Sequence, residues 1–553
     1  MGKRVAVLGG GVAGMTAAHE LMLRGFEVEV FEFKKIPGGK ARSMPFEGSG
    51  KDGRPDLPGE HGFRLFPKFY KHVIDTMKRI PYGKQTVYDN LVEVPRLNIS
   101  TETHPMVELV TKMELTPGNI KTVIHTLFDN GLGLTMEDID QYTDKLWQVM
   151  TSCDERREEE YQRIAWWDFI EAAQHSPTFQ KVFANITRTL VACKSTKANT
   201  KTVGTVAAQM TMDLLTPGTS FVRILNGPTN DRWIQPWLDY LRAKHVTYHL
   251  DAKVEKIDIR DGQVQKVIVT RDGVTYEVEA DYYVAAFPVE VMATFITDEA
   301  ADAHVDLDNI RRLSSAVDWM NGIQFYLKED VPVTPGHVMY FDSPWSLTSI
   351  SQKQFWPHVD LSQYGDGTVK GILSVDVSDW TTPGELHKKP AMECTAEEIR
   401  EEVWYQLKKG LNVGTEILRD EVLHSSFLDT DIQFTNGGQN CVNIEPLLVN
   451  EVHTWPLRPY AYTSVSNLFL ASDYVRTNTD LATMEGANEA ARRAVNAILE
   501  ASGVEAERCE VFEMYRYEAF HIDWLAPWHS NDRTRFRKDE PWDGRTAIGE
   551  LFA

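Results

Sequence analysis

Three glycines and one acid near the N-terminus carry the plainest chemistry in this sequence. Gly9, Gly11 and Gly14 form G-x-G-x-x-G, and Glu32 follows 18 residues after the last of them. In such a motif the first glycine allows a tight turn and the second lets backbone approach a pyrophosphate. The third lets a helix pack closely on a strand. The helix start aims unpaired N–H groups and the positive dipole end at phosphates. A carboxylate at this spacing accepts hydrogen bonds from a ribose diol. The chemistry is dinucleotide binding, and the motif by itself does not separate NAD from FAD.

Further groups stand around this core. Gly38, Gly39, Lys40 and Arg42 follow Glu32 closely, and paired glycines with bases suit a loop that brings N–H groups and cations beside phosphates. Glu60, Gly62 and Arg64 lie in Pro58-Gly-Glu-His-Gly-Phe-Arg-Leu-Phe-Pro67, a mix of charge and aromatics that is costly to bury without a role. Near the far end, Leu468-Phe-Leu-Ala-Ser-Asp473 reads as a buried strand ending in an acid, and Met484-Glu485-Gly-Ala487-Asn opens a helix. A strand, a carboxylate and a helix start repeat the logic of the N-terminus, so the chain returns to the nucleotide site. His245 and His249 share a strand face but have no third ligand, and no metal site is expected.

The elements that must position these groups follow from periodicity. Val5 to Leu8 is an apolar run suited to a parallel sheet, the helix runs from Val12 to Arg24 and stops at Gly25, and Glu27 to Phe31 alternates as a strand. Residues 47–59 read as an exposed loop, and 100–220 as mainly helical. Within that block, Thr135 caps a helix, Asp154 to Glu160 reads as a solvated charged face, and Trp166-Trp167 open a further helix. A helix over Trp233 to Lys244 leads into a strand from His245 to Leu250. Val254 to Ile257, Val264 to Val269 and Thr275 to Val278 form a meander with Asp-Gly turns, and Tyr282 to Ala286 is a core strand. Residues 300–450 alternate strands and helices in a second sheet, including Val317 to Leu327 and Val338 to Phe341. The remainder, 506–553, holds a helix and a tail with Trp524, Trp528 and Trp542.

The chain has 553 residues, 42% hydrophobic and 25% charged, which fits two or three globular domains. A net charge of −22 argues against nucleic acid as a partner and against docking on anionic lipid. Five scattered cysteines without C-x-x-C suit reduced thiols. No signal peptide is read, and no run approaches the roughly 18 apolar residues that span a bilayer. A cytoplasmic location is expected, with peripheral membrane contact left open.

Taken together, the glycine fingerprint with Glu32, the Pro37-Gly-Gly-Lys40 loop, Glu60-x-Gly62, and the Asp473 and Met484 blocks resemble the flavin-containing amine oxidase superfamily. The closest pattern is that of the plant and cyanobacterial phytoene and zeta-carotene desaturases. The resemblance implies an α/β fold, with a Rossmann-like (GR2-type) FAD-binding domain and an inserted mixed-sheet plus helical substrate domain. The FAD domain would comprise 1–95, 220–300 and 455–505, the substrate domain 96–219 and 301–454. The cofactor implied is FAD. Gly9, Gly11, Gly14 and Glu32 would hold its adenosine half, Gly38, Gly39, Lys40 and Arg42 its pyrophosphate and flavin, and Asp473 its ribityl–phosphate part. Glu60, Gly62, Val254, Met484, Glu485 and Ala487 complete the expected contacts.

Three positions depart from the family pattern. Ser472 replaces a usual glycine, the strand Trp319 to Tyr326 has no lysine, and Arg64 stands where plant-type desaturases tend to have histidine. Arg64 either pairs with a protein carboxylate such as Glu60 or faces a substrate carboxylate, with Phe63, Phe66 and Phe69 lining an apolar channel. The resemblance implies an FAD-dependent dehydrogenase, desaturase or isomerase acting on an apolar small molecule. The electron acceptor is left open, O2 and a quinone being two candidates. The alternatives are an amine or amino-acid oxidase and a non-catalytic binding protein.

Overall fold

The computed structural model describes residues 2–62, 64–110, 132–215, 222–438, 440–514 and 525–544. Its first layer is a five-stranded parallel sheet in the order Thr247–His249, Glu27–Phe31, Arg4–Leu8, Tyr282–Ala285, Leu468–Leu470. The Arg4–Leu8 strand is buried from Val5 onward because both faces of a parallel sheet are covered. From this central strand the chain builds first toward one edge and later toward the other. The crevice at the strand ends, where the order reverses, is the place such sheets bind ligands.

The helix Val12–Leu23 packs against the helix Met484–Ser502 across alanine faces, and Asn488 Nδ2 donates to Thr16 Oγ1 at 2.9 Å between them. Small side chains let the two helices approach closely beneath the crevice. The meander is formed by Ala252–Arg260, Gln263–Arg271 and Val274–Val278. Its turns at Asp261-Gly262 and Asp272-Gly273 have positive φ at both residues, as a two-residue hairpin turn requires.

The second layer is a seven-stranded mixed sheet: Val107–Val110, Arg96–Ser100, Gly336–Tyr340, Thr348–Ser351, Gly371–Val377, Asn321–Leu327, Leu423–Leu428. The Glu60–Gly62 segment packs on the mixed sheet. Gly322 N–H donates to His61 O at 2.7 Å, and Glu60 N–H donates to Gln324 Oε1 at 3.0 Å. A Cβ on Gly322 would lie 2.9 Å from Gly62 Cα, so this contact needs glycine.

Several local expectations change. Residues 57–60 are a buried strand paired with Ser43–Phe46 and not part of an exposed loop. Arg96–Ser100 and Val107–Val110 join the mixed sheet, and the first helix among the described residues of this block is Met136–Thr151, whose Thr135 cap forms as expected. The helix at Trp166 is a single turn, Trp166–Phe169. The expected Trp233 helix is Gln235–Ala243, preceded by a π-turn over Asn230–Ile234, and the strand after it shortens to Thr247–His249. His245 takes a positive φ in the turn, while His249 contacts Arg271 and Glu29. The Asp154–Glu159 run is not wholly solvated, because Arg156 is buried against Asp532 of the C-terminal helix Ala526–Phe536 at 2.9 Å. That helix and Trp542 thereby clasp the helical block, whereas Trp524 lies outside the described residues. No helix among the described residues is long and apolar enough to cross a membrane.

The tightest constraint in the first turn is Gly14, where a Cβ would lie 1.9 Å from Gly9 O. Gly14→Ala should push the helix off the turn, costing about 1–3 kcal/mol in denaturant unfolding. Unchanged stability would contradict this packing.

Candidate active site

A cavity of about 830 Å³ opens from the glycine turn to the mixed sheet. This lies in the upper part of the usual small-molecule range of about 300–1,000 Å³. At one end are Gly9, Gly11, Glu32, Gly38, Gly39 and Val254. Gly9 has φ of +108°, and Gly38 N–H donates to Gly10 O at 3.2 Å, drawing the second glycine loop against the first. Glu32 is buried; its two oxygens accept from Gly10 N–H at 2.7 Å and Lys34 N–H at 2.8 Å. Burial raises its pKa despite these donors, which suits a carboxylate waiting for hydroxyl partners.

Farther along, Asp473, Thr483, Met484 and Ala487 line the cavity, with Ser472 Oγ 3.3 Å from an Asp473 carboxylate oxygen. Thr483 caps the Met484–Ser502 helix by accepting from Gly486 N–H at 3.1 Å. At the opposite end stand His61, Gly62, Arg64, Leu65, Tyr70, Met320 and Asp376. Gly62 sits close beneath Asp376: a Cβ there would approach Asp376 Oδ1 to 2.8 Å, so a larger residue would have to displace that carboxylate. The walls between are apolar, from Phe287, Val291, Phe295, Ile444 and Leu447.

Lys40 lines the cavity and reaches Glu290 and Pro446 O. Arg64 lines it as well, donating to Gly62 O at 2.7 Å and to Lys40 O at 2.5 Å. Burial lowers its pKa, opposed by Glu60 and Asp376. Arg64 therefore ties the Lys40 loop to the Gly62 segment while presenting charge to the cavity.

Other expected contacts lie off the cavity. Glu485 is buried on the inner side of its helix, where its carboxylate accepts from the N–H groups of Lys71, His72 and Val73 at 2.7, 2.8 and 3.0 Å. It thus serves as the N-terminal cap of the helix His72–Lys78. Met484 and Ala487 line the cavity, whereas Glu485, about 100° round the helix from Met484, turns to His72, and Asn488 is taken up by Thr16 and Thr76. Arg42 turns into a buried ion-pair cluster with Asp431 and Glu445. Gly14 acts from beneath the turn, and Glu60 from behind Gly62, where Oε1 accepts from Thr229 N–H at 3.0 Å. Phe66 packs against Trp233 and Phe69 against Tyr70, both away from the cavity, and Phe63 lies outside the described residues.

The comparisons with known proteins agree with this geometry. Residues 228–499 match the family model described as flavin containing amine oxidoreductase, and residues 7–80 match an NAD(P)-binding Rossmann-like domain. A probable zeta-carotene desaturase of Synechococcus elongatus is 24% identical over 91% of this chain and 100% of its own length. The 15-cis-phytoene desaturase of Glycine max is 23% identical over 52% of this chain and 45% of its own. In fold, cyclohexylamine oxidase from Brevibacterium oxydans superposes with a TM-score of 0.62 at 11% identity, covering 91% of this chain and 100% of that one. The protein is an FAD-dependent oxidoreductase. More particularly, it is similar over residues 228–499 to the flavin containing amine oxidoreductases, and its sequence relatives include carotene desaturases.

Sequence reasoning passed over His61, Asp376, Asp429 and Asp431. His61 lay inside a motif already singled out, but its partners are more than 300 residues away in sequence. Glu60 carries a measurable consequence, because burial pushes its carboxyl from 4.5 up to about 7. A raised carboxyl pKa makes folding stability fall as pH rises from about 4.5 to 7, by up to about 3 kcal/mol. Glu60→Gln should flatten that decline in thermal melts between pH 5 and 8. An identical pH profile would show that Glu60 ionises freely.

Proposed function

We propose that the cavity holds FAD along its length and that the enzyme dehydrogenates or desaturates an apolar, isoprenoid-like or acyl-like substrate. The segments 1–95, 220–300 and 455–505 then serve as the FAD-binding domain, and 96–219 with 301–454 as the substrate domain. The cradle fits a dinucleotide: two glycine loops meet without side chains between them, and a buried carboxylate closes one end. Glu32 would take the adenosine ribose hydroxyls. Gly9, Gly11, Gly38 and Gly39 would admit the pyrophosphate to backbone distance, and Lys40 would supply charge beside it. Val254 would border the adenosine, and Asp473 the ribityl chain. The start of the Met484–Ser502 helix would place its dipole beneath the ring, with Met484 and Ala487 in contact, favouring negative charge there. Bound FAD supplies a hydride acceptor, and the chain supplies position, dryness and charge.

The observation that carries the substrate reading is the apolar stretch of the walls between the cavity's ends, Phe287, Val291, Phe295, Ile444 and Leu447. The Asn321–Leu327 strand with its approach adds Met320 at the far end and no lysine. Among the described lining residues the lysines are Lys40, engaged by Glu290, and Lys253 at the adenosine end. The acyl form of substrate is proposed on Arg64, whose guanidinium lines the cavity with Glu60 and Asp376 opposing the effect of its burial.

Mixed anaerobically with separate panels of isoprenoids, fatty acyl compounds and amines, the flavin should bleach with the first or second. Bleaching by amines alone would overturn the reading in favour of an amine oxidase. For the cofactor, Glu32→Ala and Asp473→Ala should each weaken FAD retention, with about 1.5–3 kcal/mol lost per charge-assisted hydrogen bond. Full flavin occupancy in both purified variants would refute the assigned contacts.

A further inference from the structure

Much of the buried charge near the cavity is paired, and one member of it is held from one side while its other side opens to the cavity. His61 is 7% exposed. Its Nδ1 lies 2.7 Å from Asp429 Oδ2 and 3.3 Å from Asp431 Oδ2. Asp429 is fixed in turn by Asn321 Nδ2, which donates at 2.6 Å, and by Asp431 N–H at 3.1 Å. Asp431 also meets Lys34 at 2.9 Å and Arg42, and Glu445 meets the same two cations at 3.1 and 2.9 Å. His61, Lys34 and Arg42 thus balance Asp429, Asp431 and Glu445.

That balance decides what the cluster is. The ligand atoms of His61, Asp429 and Asp431 lie within 4.8 Å of one another, close enough to grip a metal ion. A dication there would stand beside Lys34 and Arg42, which already neutralise the carboxylates, so the cluster is an ion-pair network. Within it the imidazole is a cation. Burial works against the charge, but Asp429 and Asp431 outweigh it and raise the His61 pKa to about 9. Asp431 is held well below the usual carboxylate range, His61, Arg42 and Lys34 overcoming its burial.

The ring's Nε2 bonds no protein atom among the described residues, and the side chain forms part of the cavity wall beside Gly62, Arg64 and Asp376. We propose that His61 is a fixed, charged hydrogen-bond donor at the substrate end of the cavity, its Nε2–H directed to a carbonyl or carboxylate oxygen of what binds there. The oxygen is either a carbonyl of the flavin ring or an oxygen function of the substrate. A donor of this kind is roughly twice as strong as a neutral one, and the carboxylates behind it fix its orientation as an acid fixes a catalytic histidine. Stabilisation by this donor holds below about pH 9 and is lost as pH rises through it. The inference rests on the reading of the cavity as a site for FAD and substrate together.

The test compares the FAD-loaded wild type with His61→Gln, after flavin content has been measured in each. One arm is the midpoint potential of the bound flavin without substrate; the other is binding of decanoate against decane, followed by flavin difference spectra. If the substrate supplies the oxygen, decanoate binding falls at least tenfold and decane binding is unchanged. If the flavin supplies it, the potential drops by about 30 mV, the tenfold equivalent for a two-electron couple, and both ligands bind as before. No change in either arm overturns the proposal. Should the variant fail to fold, nitrogen-15 spectra of the wild-type holoenzyme decide: His61 must carry protons on both nitrogens at pH 7, and a neutral ring there overturns it. A wild type that purifies without FAD would instead refute the reading of the cavity.

Discussion

A buried cluster of opposite charges fastens the two sheets to each other over the cavity. Lys34 and Arg42 come from the segment after the second strand, His61 from the segment packed on the mixed sheet, and Asp429, Asp431 and Glu445 from the chain beyond the mixed sheet. Withdrawing such charges from water is expensive, and removing one partner strands another at a cost of about 3–5 kcal/mol. The cluster therefore acts as one unit. Because its members come from segments far apart in sequence, it is satisfied in one relative placement of the sheets. That placement sets the cavity's width, since Ile444, Glu445 and Leu447 on one side and Lys40 and Ala41 on the other both line it.

Around this joint, glycine does the complementary task of letting backbone meet backbone. Gly14 seats a helix on the first turn, Gly39 lies against Gly11, and Gly322 lies against Gly62. Charge fixes the placement and absent side chains make it close enough. The result is a cavity whose two ends differ: one is lined by backbone and a carboxylate, the other by His61, Arg64 and Asp376. A long ligand with a diol at one end and a ring at the other matches that asymmetry.

Much of the first half of this arrangement was legible in the sequence, because it is local. A strand, a glycine turn, a helix and an acid lie within forty residues, and their spacing alone specifies how they fold. The return of the chain at Asp473 and Met484 was legible for the same reason. Side-chain direction was not. Glu485 neighbours Met484 in sequence, yet it caps another helix on the far face. Arg42 looks like a phosphate ligand until Asp431 and Glu445 arrive some 390 and 400 residues later to claim it. Arg156 sits in a run of charges that reads as solvated, and its partner Asp532 lies 376 residues away. Wherever a role depends on a distant partner, local pattern gives the residue and not its direction.

If one cavity between the sheets carries the dinucleotide from the glycine turn to the His61 end, a crystal structure of the FAD-loaded enzyme will show it. Adenosine should lie against Glu32 and Val254, the pyrophosphate over Gly9, Gly11 and Gly38, and the flavin ring between the Met484–Ala487 helix start and the His61–Gly62 segment. A ring bound outside that space, or a dinucleotide running in the opposite direction, would refute this placement.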